Sequence, residues 1–104
     1  MLGFEMFQAK ETIEIKDMYD GRKHKFTKDN LYLGRYNNFG QFIIYDDNKD
    51  GCKFIRFRWC MGPRHPYHEN YFNIIGKGQV SNKKVFAKIL DIVTKKEYLE
   101  EGEK

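Results

Sequence analysis

Cys52, Cys60, His65 and His68 are the residues of this 104-residue chain whose types and spacing come nearest to a reactive set. Two sulfurs and two imidazoles are donors that zinc accepts. Cys60, His65 and His68 would close around a metal if their loop folded back, with His24 as the alternative fourth ligand to Cys52. The spacing lacks the short cysteine knuckle of zinc fingers, and Cys52 would have to leave the end of its strand. Cys60 with His65 or His68 also has the makings of a nucleophile and base, and His, Arg and Tyr in one loop can cleave RNA by acid–base chemistry. No oxyanion site, phosphate-cradling Gly loop or carboxylate pair accompanies them. The bland reading, a partly buried thiol with loop histidines, fits better, so neither an enzyme nor a bound metal or cofactor is expected.

The stretch Asp46-Asp47-Asn48-Lys49-Asp50-Gly51 matches the first half of a calcium loop, with Asp46, Asn48 and Asp50 at alternate positions and Gly51 after them. The closing Glu of that pattern is replaced by Phe57, and the flanks read as strands rather than helices. Plain hairpin-turn chemistry is the expectation.

The charge distribution is more informative. The chain has 19 Lys and Arg against 15 Asp and Glu, a formal net charge of +4. Residues 52–68 contain Lys53, Arg56, Arg58 and Arg64 and no acid, which leaves the other residues balanced at 15 against 15. In an alternating strand, Ile55, Phe57 and Trp59 would face the core, and Phe54, Arg56 and Arg58 would face outward. Arg64, His65, Tyr67 and His68 follow. Guanidinium groups grip phosphates and aromatic rings stack on bases. Interleaved Arg and aromatics also anchor protein interfaces. The expected footprint is Phe54, Arg56, Arg58, Arg64, Tyr67 and His68. A charge of +4 is modest for a nucleic-acid binder, so a protein partner is preferred and direct RNA or DNA binding is the alternative.

The elements that must position these residues are mostly strands. Aromatics make up 16% of the chain, which favours sheet. Residues 1–10 are weakly patterned, either a strand or one helical turn. Residues 12–16 alternate as a half-buried strand, and Asp20-Gly21 turns the chain into a polar, basic connection over 22–28. Residues 31–36, 41–46, 52–60 and 71–75 read as further strands, the last closed by Gly76-Lys77-Gly78. Ser81 or Asn82 can cap a helix over about 82–97, in which Val85, Phe86, Ile89, Leu90, Ile92 and Val93 form an apolar stripe. Residues 98–104 are a polar tail. Residues 1–97 make one domain of mainly β class: a small antiparallel barrel, or a curved five-stranded sheet covered by the helix.

Phe26-Thr27-Lys28-Asp29-Asn30-Leu31-Tyr32 resembles the strand-opening segment of small Src-homology-3-like barrels common in phage genomes, and Gly40 to Asn48 resembles their next strand and acidic turn. The resemblance spans residues 26–51. It departs where Asp29-Asn30 replaces Gly-Lys, and in the added helix. It implies a non-enzymatic binding fold, of the kind that inhibits or modulates a host protein complex, and it carries over no catalytic residue.

No apolar run approaches the roughly 18 residues needed to span a bilayer, so no membrane is expected. The stretch MLGFEMFQAK lacks the features of a secretory signal, which points to the cytoplasm and to reduced thiols. A continuous strand over 52–60 would hold Cys52 and Cys60 roughly 26 Å apart, far beyond a disulfide. An exposed strand edge could also make a homodimer.

Overall fold

A computed structural model describes residues 1–17, 19–57 and 71–102, with side chains to residue 54 in the sixth strand and to residue 93 in the helix. The elements run β1 (Leu2–Ala9), β2 (Ile13–Lys16), β3 (Lys23–Phe26), β4 (Leu31–Tyr36), β5 (Gln41–Tyr45), β6 (Gly51–Phe57), β7 (Phe72–Val80) and α1 (Lys83–Gly102). Five strands form one antiparallel sheet in the order β6-β5-β4-β1-β7, and β2 and β3 form a separate antiparallel hairpin. The fold is mainly β, as expected, but the sheet is open: among the described residues β6 and β7 are its edges and do not close a barrel.

Both faces of the sheet are covered. On one face the β2–β3 hairpin brings Ile15 and Phe26 onto Phe7, Tyr32, Phe42, Ile44, Phe54 and Phe72. The rings meet edge to face: Phe26 lies 5.0 Å from both Tyr32 and Phe72, and Phe7 lies 5.8 Å from Phe42. On the other face α1 lays Phe86, Leu90 and Val93 over Leu33 and Val80, with Phe4, Met6 and Tyr45 alongside. The spacing of those three helical residues is the i, i+4, i+7 stripe read from the sequence. Ile92, assigned to that stripe, instead faces solvent. The Asn82 side-chain oxygen accepts the Val85 N–H at 3.1 Å, so Asn82 rather than Ser81 provides the cap. The helix continues past the expected limit at 97. Among the described residues no helix is long and apolar enough to cross a membrane.

Two strands differ from the sequence reading. Residues 22–28, expected as a connection, contain β3, and β7 runs on through Gly76-Lys77-Gly78 to Val80. The third difference concerns the expected binding face. Phe54 was expected outward but is 2% exposed, in edge-to-face contact with Phe72 at 6.4 Å. Cys52, two residues earlier, is likewise fully buried. The phase of β6 is therefore set by Cys52 and Phe54 pointing inward. Strict alternation cannot be carried onward from there, because the pairing with β5 is irregular. Phe42 pairs with Phe54 and Gln41 with Phe57, so β6 advances three residues while β5 advances one.

Candidate functional site

The β2–β3 hairpin is fastened to the sheet by carboxylates. Asp17, just after β2, is almost fully buried. One of its oxygens accepts the N–H groups of Tyr19 (2.7 Å) and Asp20 (3.2 Å), which shapes the turn. The other accepts the Lys53 N–H from β6 at 2.9 Å. The acidic turn between β5 and β6 holds the hairpin from the opposite side. Asp46 Oδ1 accepts the N–H groups of Asn48 and Asp50 at 2.8 and 2.9 Å, a side-chain turn that leaves Lys49 at φ 64°. Asp46 Oδ2 lies 2.8 Å from His24 Nδ1. Asp47 accepts from Thr27 Oγ1 (2.8 Å) and Tyr32 OH (2.5 Å), and its N–H donates to the Lys25 carbonyl at 3.1 Å. The turn that matched half a calcium loop thus directs its Asp46 and Asp47 carboxylates at β3 and β4.

These contacts assemble four buried groups: Asp17, His24, Asp46 and Cys52, all under a twentieth exposed. One donor atom from each of Asp17, His24 and Cys52 lies within 4.8 Å of the others. The hydrogen bond between His24 Nδ1 and Asp46 Oδ2 is one that an Nδ1–H imidazole donates to a carboxylate. Nε2 is buried with no hydrogen-bond partner. Burial pushes the Cys52 thiol up to about 12, and the anions of Asp17, Asp46 and Asp20 add to the shift. The set contains a thiol, an imidazole and a carboxylate close together, but the thiol is protonated at neutral pH and closed to solvent.

The second feature is the outer edge of β7. Among the described residues this nine-residue strand pairs with β1 on one side only. Met6 pairs with Gly76 and Phe7 with Ile74, so Ile75 is an extra residue in a bulge. The bulge turns two consecutive apolar side chains outward: Ile74 is 43% and Ile75 51% exposed. Next to this edge, Gly3, Phe4, Glu5, Arg35, Tyr36 and Lys77 help to line an open cleft of about 640 Å³.

Of the residues expected to bind a partner, Phe54 is removed from the surface by its burial. Arg56 lies in β6, outside the described side chains. Arg58, Arg64, Tyr67 and His68 lie outside the described residues, as do Cys60 and His65 from the metal and nuclease readings. Lys53, counted in the basic stretch, is engaged at home. Its ammonium lies 3.6 Å from Asp20 and 5.9 Å from the centre of the Tyr19 ring. Sequence reasoning missed Asp17 and placed the other two differently, Asp46 at the start of a calcium-loop match and His24 as an alternative zinc ligand beside Cys60, His65 and His68. The one available signal was a histidine between two lysines in β3, at a position where strand alternation turns a side chain inward.

No family model, curated protein or solved structure matches this chain.

Proposed function

We propose that the chain is a non-catalytic binding module that engages a protein partner, of the kind a phage uses to redirect a host complex, by adding an extended partner segment to β7. The observation that carries this reading is the β7 edge, which has no partner strand among the described residues, with Ile74 and Ile75 outward. A strand edge with unpaired N–H and C=O groups is a template for another strand, and its side-chain pockets give selectivity. The cleft beside Lys77 and Gln79 offers room for a partner side chain. The basic stretch, with Arg56, Arg58, Arg64, Tyr67 and His68, supplies the second contact surface in this proposal, without Phe54. The burial of Cys52, His24 and Asp46 supports a non-catalytic role, because a substrate would have no path to the thiol. Asp29, which replaces the pattern's glycine, sits at φ 69°, a conformation glycine adopts freely.

The test is affinity capture on the immobilised chain, from lysate with and without nuclease, repeated with Ile75→Lys. A stoichiometric protein that survives nuclease and is lost in the variant supports the proposal. Loss of all capture on nuclease treatment points to nucleic acid instead, and retention by Ile75→Lys removes β7 from the interface.

A further inference from the structure

We propose that Asp17, His24 and Cys52 form a zinc site, with Asp46 as the outer carboxylate that orients the histidine. Three observations converge on it. First, the donors are of the right kind: a carboxylate oxygen, an imidazole nitrogen and a sulfur, mutually within 4.8 Å. With zinc bonds of about 2.0–2.3 Å, donors of a tetrahedral site stand roughly 3.5 Å apart, so a shift of about 1 Å would close the set. Second, His24 Nε2 is buried at 1% residue exposure with no hydrogen-bond partner. A buried nitrogen without a partner is costly, and a metal bond would satisfy it. Third, Asp46 Oδ2 holds Nδ1 at 2.8 Å. This is the carboxylate–histidine arrangement that fixes the tautomer of zinc-bound imidazoles and raises their basicity. Asp46 is itself fixed by two backbone N–H groups.

The electrostatics point the same way. The carboxylates of Asp17 and Asp46 are both buried, and a divalent cation would compensate them. The thiol that burial keeps protonated would ionise on coordination, because the ion inverts the local balance. The bond formed is Sγ–Zn, the bond broken is S–H, and the proton leaves to solvent. Asp17 already accepts three N–H groups, which leaves one lone pair for a metal. A mixed oxygen, nitrogen and sulfur set of this size suits zinc better than magnesium or calcium, which take all-oxygen shells. Three protein donors leave the fourth position to a water molecule. The donors come from the end of β2, from β3 and from β6. Zinc would therefore staple the hairpin to the sheet, a role independent of any partner at β7.

The experiment is titration of the reduced, chelator-treated full chain with Zn²⁺ and, as a spectroscopic stand-in, Co²⁺. One metal per chain is expected, with a thiolate-to-cobalt charge-transfer band and the visible bands of tetrahedral cobalt. The charge-transfer band should vanish in Cys52→Ser and persist in Cys60→Ser. Asp46→Asn keeps an oxygen for the turn hydrogen bonds and should bind about 10–100-fold more weakly. Should Cys52→Ser fold poorly, the wild-type melt decides. Zn²⁺ at a hundredfold excess over its dissociation constant should raise Tm by roughly 10 °C or more. No thiolate band in the wild type, a band that survives Cys52→Ser, or a Tm indifferent to Zn²⁺ would each overturn the assignment.

Discussion

Replacing Gly34 by Ala is the sharpest probe of the packed face under the hairpin. Gly34 is a buried residue of β4, paired with Glu5 on one side and Ile44 on the other. A Cβ placed there would stand 2.7 and 2.9 Å from two carbons of Phe42 and 2.9 Å from one of Phe7. Neither ring can retreat easily. Both are fully buried, and they pack edge to face on each other at 5.8 Å, on Tyr36 at 5.1 Å and on Phe72 at 6.0 Å. Overpacking of this kind costs about 1–3 kcal/mol. The stiffer unfolded chain of an Ala variant returns about 0.4–1 kcal/mol. The net loss should be about 1–2 kcal/mol, a fall in Tm of roughly 4–16 °C for a domain of this size. Gly76→Ala is the internal control, since a Cβ there meets nothing within 4 Å and the backbone is outside the left-handed region. It should be neutral or stabilising by up to about 1 kcal/mol. The assay is denaturant unfolding followed by circular dichroism, both variants beside the wild type. A Gly34→Ala protein as stable as Gly76→Ala would refute the reasoning, because the two sites differ chiefly in the rings that face the first.

Asn82→Ala should cost about 1 kcal/mol by removing the side-chain acceptor of the Val85 N–H, while Ser81→Ala leaves the cap in place; paired urea melts would show the difference. In a Cys60→Ser background, Cys52 is the sole thiol, and it should react with a thiol reagent at the rate of unfolding, with no faster phase. The Cys52 pKa is raised in the fold to about 12 from an ordinary 9.0, so the folded chain keeps a proton that the unfolded chain loses between those values. Stability from this group is complete below pH 9 and falls as the pH rises towards about 12. Comparison of the stability slopes of wild type and Cys52→Ala across that window would show a shallower fall in the variant.

The elements most legible in the sequence were those with a local signal. β5 and α1 carry clear periods, β4 is bounded by turn residues, and Asn82, Gly40 and Asp46 have turn or cap chemistry that depends only on near neighbours. β1 was ambiguous because it is the second strand from an edge with cover on both faces: Phe4 and Met6 face the helix, Phe7 and Ala9 the hairpin. β3 was hidden because three of its four residues are Lys, His and Lys, and His24 is inside only because Asp46 meets it there. That partner lies 22 residues away, beyond any local pattern. The same holds for the polar cluster, whose donors come from separate strands. Phe54 was misplaced for a different reason: alternation gives a period but not a phase, and the phase of β6 comes from Cys52 against the hairpin.

The placement of α1 has a consequence for synthesis. The helix follows every strand it covers, and β7, which pairs with β1, comes just before it. A nascent chain can pair β4 with β5 and close the hairpin early, but Leu33, Phe4 and Met6 stay uncovered until Phe86, Leu90 and Val93 arrive. At ordinary elongation rates that interval is on the order of seconds. During it the chain displays an apolar sheet face together with an unfilled position beside β1. This face is where a chaperone would find the growing polypeptide, and a chain stopped before residue 83 would keep it permanently.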